Sequence, residues 1–302
     1  MTRVSTSGFY DRAARQMGAL SARADTLQTK IATGKRLQAP SDDALAYRRL
    51  GGLARQEADA SAYAGNLKLA GGVLAQADTA VAAVGDQLQR ASELALQAAN
   101  GTLSDDNRRV IAVELRGVAE TLAALANTTD ARGEPLFGGA DGSPAATKRA
   151  DGGYDFAMLA PSAVPIGEGQ SVAASEAAAR VFGMRGRDGP TDMIAVVAGL
   201  AAALEAGGDV RAATGAAIDD LKVATDQAAS VQASIGARAA RVELAQAQML
   251  DQAVDREAVR SDLEDADVTA AITELQKTMT VLQATQASFS KLQGLSLFDY
   301  LR

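Results

Sequence analysis

The chain has 302 residues, a formal net charge of −7 and a pI near 4.8, and it contains neither cysteine nor histidine. Those two absences remove disulfides, thiol nucleophiles, Cys or His zinc ligands and histidine general bases together, and the acidic balance argues against a nucleic-acid groove. Hydrophobic residues make up 47% but aromatics only 4%, with no Trp, so alanine supplies much of the apolar surface and thin helix-on-helix packing is favoured over one thick core.

The first 30 residues alternate polar and apolar groups around Arg3, Asp11, Arg12, Arg15 and Arg23, and no cleaved signal peptide is expected. Tyr10, Ala13, Met17, Leu20, Ala24, Leu27 and Ile31 then recur at alternating spacings of three and four, the a/d seam of a helix packed along a partner. Gly34 suits a helix C-terminus and Pro40 keeps Ala39 out of helical geometry. Ser41 is the expected N-cap of a new helix, with Asp42 and Asp43 placing negative charge at its first amides. Gly34, Pro40, Ser41, Asp42 and Asp43 therefore read as a joint and a helix restart.

The second helix spans about 42–100, roughly 90 Å if continuous. Gly51-Gly52 and Gly71-Gly72 either permit close helix approach or mark breaks, each glycine costing about 1 kcal/mol against alanine. "NGTLSDD" (100–106) is a turn with Ser104 as the next cap, and a helix to about 128 completes a helical hairpin. Asn107, Arg108 and Arg109 read as a solvated face.

Five of the six prolines and eleven of the 28 glycines fall between residues 133 and 190, where "GGYDFAML" and "SAVPIGEG" are strand-like runs between turns. A small β-containing insertion is expected there. Helices follow at about 191–206, 209–257 and 262–293. The apolar run Met193–Leu204 is too short for a bilayer, which needs about 20 residues, and reads as a buried helix rather than a membrane insertion. The last helix, capped by Ser261, carries a second seam: Ile272, Leu275, Met279, Leu282, Gln286 and Phe289.

The expected fold is mainly α: a long antiparallel helical hairpin or bundle with paired terminal helices and a small β-containing insertion. Its parts are an N-terminal helix (1–38), a helical middle region in two halves (39–130 and 191–257), the insertion (131–190) and a C-terminal helix (258–302). No catalytic, cofactor or metal residues stand out. "SDLEDAD" (261–267) lacks the glycine and the twelfth-position Glu of a calcium loop, and "GMRGRDG" (183–189) lacks the lysine of a phosphate loop and reads as a flexible surface loop. The seams carry more weight, because an unpartnered amphipathic helix is unstable in water. With Ala13, Ala24 and Gln286 in them, a two-helix pair is marginal, which favours burial against neighbouring subunits as well.

At this point the residues resemble a known family, the bacterial flagellins and their relatives at the hook–filament junction. "LQTKIATGKRLQAPSDDALAYRRL" resembles its N-terminal signature, "SIGARAARVELA" (234–245) its C-terminal helix motif, and "SDLEDADVTAAITELQKTMTVLQATQASFSKLQGLSLFDYL" its final helix. "LSLFDYL" (295–301) and "GEPLFGG" (133–139) are similar to the junction members, whereas Ala44 after Asp43, where junction proteins often have proline, is as in many flagellins.

The resemblance implies a secreted structural protein with a paired-helix inner part, a helical middle part and an outer β part, exported unfolded through the flagellar type III system, its C-terminal segment held beforehand by a cytoplasmic chaperone. Its partners would be hook-associated and filament axial proteins and further copies of itself, with no cofactor, nucleic acid or membrane insertion. Gly34 to Ala39 becomes the connector between inner and middle parts. Tyr10, Met17, Leu20, Leu27, Ile31, Ile272, Leu275, Met279, Leu282, Phe289 and Leu297 become the inter-subunit seam of an adaptor joining hook to filament. The rival readings are a filament flagellin of the same fold, an enzymatic insert, and a cytoplasmic coiled-coil scaffold.

Overall fold

The computed structural model describes residues 2–139, 143–150, 152–159 and 162–300, and for residues 2–7, 9 and 292–300 the backbone alone. The chain is mainly α-helical, with a few small antiparallel strand pairs. Two compact units form: residues 1–58 with 251–302, and residues 59–250.

The second unit is built on segments of two long helices, α2 (Ala44–Ala98) and α6 (Arg211–Glu264), with α3 (Asp105–Ala126) and α5 (Met193–Ala206). From Leu67 through Leu74, Val81, Leu88 and Ala95, α2 turns a residue inward every seven, and each is at most 1% exposed. α6 answers with Thr214, Leu221, Ala228 and Ile235 at the same interval, all buried, which is the knobs-into-holes period of parallel and antiparallel helix pairs. One core cluster joins the four helices and the strands. By length and composition α2 also qualifies as a bilayer span, but 39% of the qualifying stretch is buried in the protein.

Ser104 caps α3 as expected, its side chain accepting from the Asn107 amide. Arg108 departs from the expected solvated face: its side chain is 13% exposed and donates to Asp105 and to the Gly208 carbonyl, tying α3 to the turn before α6. Met193–Leu204 is a buried helix, α5, capped by Asp192, whose carboxylate accepts from the Ala195 amide at 2.7 Å.

Among the described residues the strands form three separate antiparallel ribbons: β1 (Ala146–Lys148) with β2 (Tyr154–Phe156), β3 (Ala163–Gly167) with β4 (Gln170–Ala173), and β5 (Gly183–Gly186) with β6 (Gly189–Asp192). The last pair corrects the expectation of a loop at 183–189. Gly189, at φ 128°, makes a tight reversal, and Asp220 of α6 accepts from the Arg187 amide at 2.8 Å, so the hairpin is anchored. Phe182, at the end of the short helix α4 (Ala178–Phe182), stacks on Phe156 at 5.8 Å and meets Phe137 edge-on at 6.0 Å.

In the first unit, α1 (Thr2–Thr33) lies antiparallel to α7 (Val268–Tyr300): Arg23 pairs with Glu274 at 2.7 Å, and Tyr10 meets Phe289 edge-on at 5.5 Å. The start of α2 and the end of α6 complete this unit, joined by Glu57 and Arg260 at 3.3 Å.

Neither glycine pair breaks α2. A side chain at Gly71 would meet Val242 at 3.6 Å, an ordinary contact, whereas Gly51 and Gly52 face open space.

Candidate assembly interface of the terminal helices

On α1 the face toward α7 is the seam in full: Tyr10, Ala13, Met17, Leu20, Leu27 and Ile31 are half-buried and Ala24 is buried. On α7 the pairing uses half of its seam. Leu275, Leu282 and Phe289 are half-buried, and the positions between them are filled by Ala271, Thr278 and Thr285. Ile272 and Met279 remain 41% and 37% exposed, with Val268 at 38% one turn earlier. Leu297 has no described side chain and lies outside what can be placed.

The reason is geometric. A two-helix pair covers a stripe narrower than the roughly 100° face that α7 presents. Thr278 and Thr285 can face the partner because their hydroxyls donate to the Glu274 and Val281 carbonyls one turn back. Small inward groups bring the helices close and swing Ile272 and Met279 to the rim. The a/d spacing in sequence gave no sign of this, since Thr at 278 and 285 reads as polar.

The joint departs from expectation in two places. Pro40 occupies a turn closed by the Asp42 amide on the Ala39 carbonyl at 3.0 Å, which leaves Ser41 inside the turn, and Asp43 caps α2 instead, accepting from the Leu45 and Ala46 amides. Asp42 accepts from the Gln38 and Ala39 amides before the turn. These bonds, from Gln38 and Ala39 to Asp42 and foremost from Ala46 to Asp43, hold both carboxyls below the ordinary 3.8. At the other end Ser261 lies within α6, and Asp267 caps α7 through the Ala270 amide at 2.9 Å.

The two breaks are stitched together, which fixes where each falls. Lys35 and Asp265 form an antiparallel bridge, the Arg36 amide donates to the Glu264 carbonyl at 2.6 Å, and the Ala266 amide donates to the Gly34 carbonyl at 2.8 Å. Lys35 pairs with Glu264, and the Arg36 guanidinium donates to the Leu263 carbonyl. Gly34 turns the chain at φ 68°, a conformation that favours glycine. Nothing in the local sequence announced this long-range pairing.

A further polar contact escaped the sequence reading. Arg238 occupies a seam position of α6, seven residues before Ala245 and seven after Val231. It donates to the carbonyls of Ala173 and Ser175 and to the Glu176 carboxylate, at 3.0, 2.9 and 2.6 Å. The signal was available: an arginine at a heptad core position calls for a buried acid. Among the described residues no group of acidic side chains converges as a metal site; Glu264 and Asp267 are spent on pairing and capping, and Asp265 accepts from the Ser261 hydroxyl.

Long self-paired terminal helices around a helical and β middle region define an axial, assembly-type structural protein. The bacterial flagellin N-terminal helical region matches residues 4–141 and the flagellin C-terminal helical region residues 218–301; the chain belongs to the bacterial flagellin family. Flagellar hook-associated protein 3 of Escherichia coli K12 is 29% identical, across 98% of this chain and 99% of its own, and that of Salmonella typhimurium 26%, across 99% and 100%. Flagellin of Listeria monocytogenes is 25% identical over 87% of the chain and 86% of its own. In fold, the chain resembles a solved hook-associated protein from Vibrio parahaemolyticus, with TM-score 0.68 over 74% of this chain and all of that one at 21% identity. It also resembles the FlgL structure of Xanthomonas campestris, with TM-score 0.60 over 69% and 99% at 18% identity.

Proposed function

We propose that the chain is a structural adaptor of the flagellar hook–filament junction, without catalytic activity, whose terminal helices pack between subunits. The observation that carries this is the asymmetry of the seams. α1 spends its apolar face on α7, whereas α7 keeps Val268, Ile272 and Met279 at the surface, a residual edge suited to a neighbouring axial subunit. End-to-end similarity to two hook-associated proteins 3 supports the junction role. Passage through the flagellar type III apparatus and a cytoplasmic export chaperone belong to the same proposal, as do the five-part division of the chain and an assignment of Gly34–Asp43 as the hinge between inner and middle parts.

A filament flagellin is the second reading, favoured by the similarity to Listeria flagellin and by Ala44 in place of a proline. The two part on one experiment: purified chain added to isolated hooks and short filaments, viewed by electron microscopy. A short cap on hook ends that stops without added flagellin supports the adaptor, and growth of long filaments from the chain alone overturns it. Met279→Glu, at the exposed edge, is expected to abolish capping.

A further inference from the structure

The start of α2 and the end of α6 carry matched faces of opposite charge. On α2, Leu45, Arg48, Gly52 and Arg55 recur at spacings of three, four and three; Leu45 is 53% exposed, both arginines are exposed, and a side chain at Gly51 or Gly52 would meet nothing within 4 Å. On α6, Asp251, Asp255, Ala258 and Asp262 recur at four, three and four, all exposed, flanked by Val254 and Val259 at 70% and 48%. Among the described residues neither arginine and none of the three aspartates has a hydrogen-bond or ion-pair partner. One helix thus offers a basic stripe with a glycine notch, the other an acidic stripe with apolar shoulders.

Helical geometry sets where these stripes point. Glu57 stands nine residues after Arg48, and Arg260 nine after Asp251, which at about 100° per residue is half a turn around each helix. Glu57 and Arg260 are the pair that joins α2 to α6 within the chain, so both stripes face away from that contact, on opposite sides of the pair. Charges on opposite outer faces cannot neutralise one another inside one molecule.

We propose that these faces dock copies of the chain onto each other, the α6 acidic stripe of one copy lying in the α2 basic, glycine-notched stripe of the next. The contact is heterologous, with each copy presenting both halves, and it therefore propagates from copy to copy rather than closing a two-fold dimer. It rests on the reading that this chain self-assembles, and it is separate from the edge of α7. Electrostatic complementarity sets its register and speeds encounter, and added salt weakens it.

The chain has no cysteine of its own, so crosslinking tests the contact directly. Full-length copies carrying Gly52→Cys are mixed with copies carrying Ala258→Cys under mild oxidation at low salt. Mixed disulfides are expected at least about tenfold faster than for a control mixture of Gly52→Cys with Ser230→Cys, falling toward the control rate at about 0.5 M salt. Arg48→Glu with Arg55→Glu in the first partner abolishes the excess, and Asp251→Lys with Asp255→Lys in the second restores it. A rate equal to the control, or one indifferent to charge reversal, overturns the contact. Crosslinking that persists in a chain unable to cap hooks would sink the adaptor reading and leave this contact standing; capping without crosslinking would do the reverse.

Discussion

The unit of residues 59–250 and the α1–α7 pair are written in the same heptad language and reach different depths of burial. In the former, Leu67, Leu74, Leu88, Leu122 and Leu221 are fully enclosed. In the latter the seam residues below 9% exposure are Ala24, Ala271 and Thr278, and every large seam side chain with a described environment keeps some contact with water. Here two helices leave the seam leucines partly open, whereas the four-helix unit closes over its own. Heptad periodicity therefore reports a helix that wants partners, and the number of helices that come together decides whether the want is met inside one chain.

The largest test of this contrast falls on the enclosed unit. Phe182→Ala removes the ring between Phe137 and Phe156 and is expected to destabilise residues 59–250 by about 3–5 kcal/mol, read by urea unfolding, with hydrogen exchange in α1 and α7 unchanged. Loss of protection in α1 at the same time would mean that the two regions do not unfold independently.

Arg238→Met is next. It removes the nearest cation from Glu176, whose side chain is 10% exposed and keeps, among the described residues, only Arg180 at 3.7 Å and the Ser234 hydroxyl at 3.4 Å, and is expected to cost about 2–3 kcal/mol. Adding Glu176→Gln should recover part of that loss in a double-mutant cycle, and a strictly additive pair would show that the ion pair contributes nothing of its own.

Leu282→Asp is smaller because the side chain is already half exposed to water. The expected loss is about 1–2 kcal/mol, confined to α1 and α7 and read as faster amide exchange there, with urea unfolding of residues 59–250 unmoved. Gly34→Ala forces a side chain to φ 68° and should loosen the joint by about 1 kcal/mol.

Acidification makes the finest cut. Asp42 and Asp43 have folded pKa values below the ordinary 3.8, so their stabilisation is complete above that value and is lost as pH falls through the folded pKa values beneath it. Asp192 runs the other way: burial, outweighing the Ala195 and Ile194 amides, raises its carboxyl. Its contribution is fully present below 3.8 and is lost as pH rises through the raised folded value. Amide exchange at Leu45 and Ala46 should therefore quicken below pH 3.8 while that at Ala195 does not, and simultaneous opening of both helix starts would refute the assignment.

The long helices, the turn-rich middle and the cap at Ser104 were legible because each rests on neighbours in sequence: apolar period, Pro and Gly density, a hydroxyl before an acidic turn. Ser41 and Ser261 misled for the same reason. Both are sound caps locally, but the turn around Pro40 displaces one, and the bridge from Lys35 to Asp265 carries α6 past the other. The pairing of Thr278 toward α1 and of Arg238 toward Glu176 depends on residues 62 or more positions distant. A local pattern can name the helix and leave open which edge of it is covered.

That stitched double break has a mechanical consequence. Two covalent backbones pass side by side through the cross-section at Gly34–Arg36 and Glu264–Ala266, bridged by backbone hydrogen bonds and the Lys35–Glu264 pair. A pull along the helix axes is borne by the covalent chains, while the bridging bonds are loaded only when one strand slides or splays against its neighbour. Such a joint behaves as a pair of cables lashed at one point, stiff to stretching and to relative slippage, and compliant to bending about the lashing.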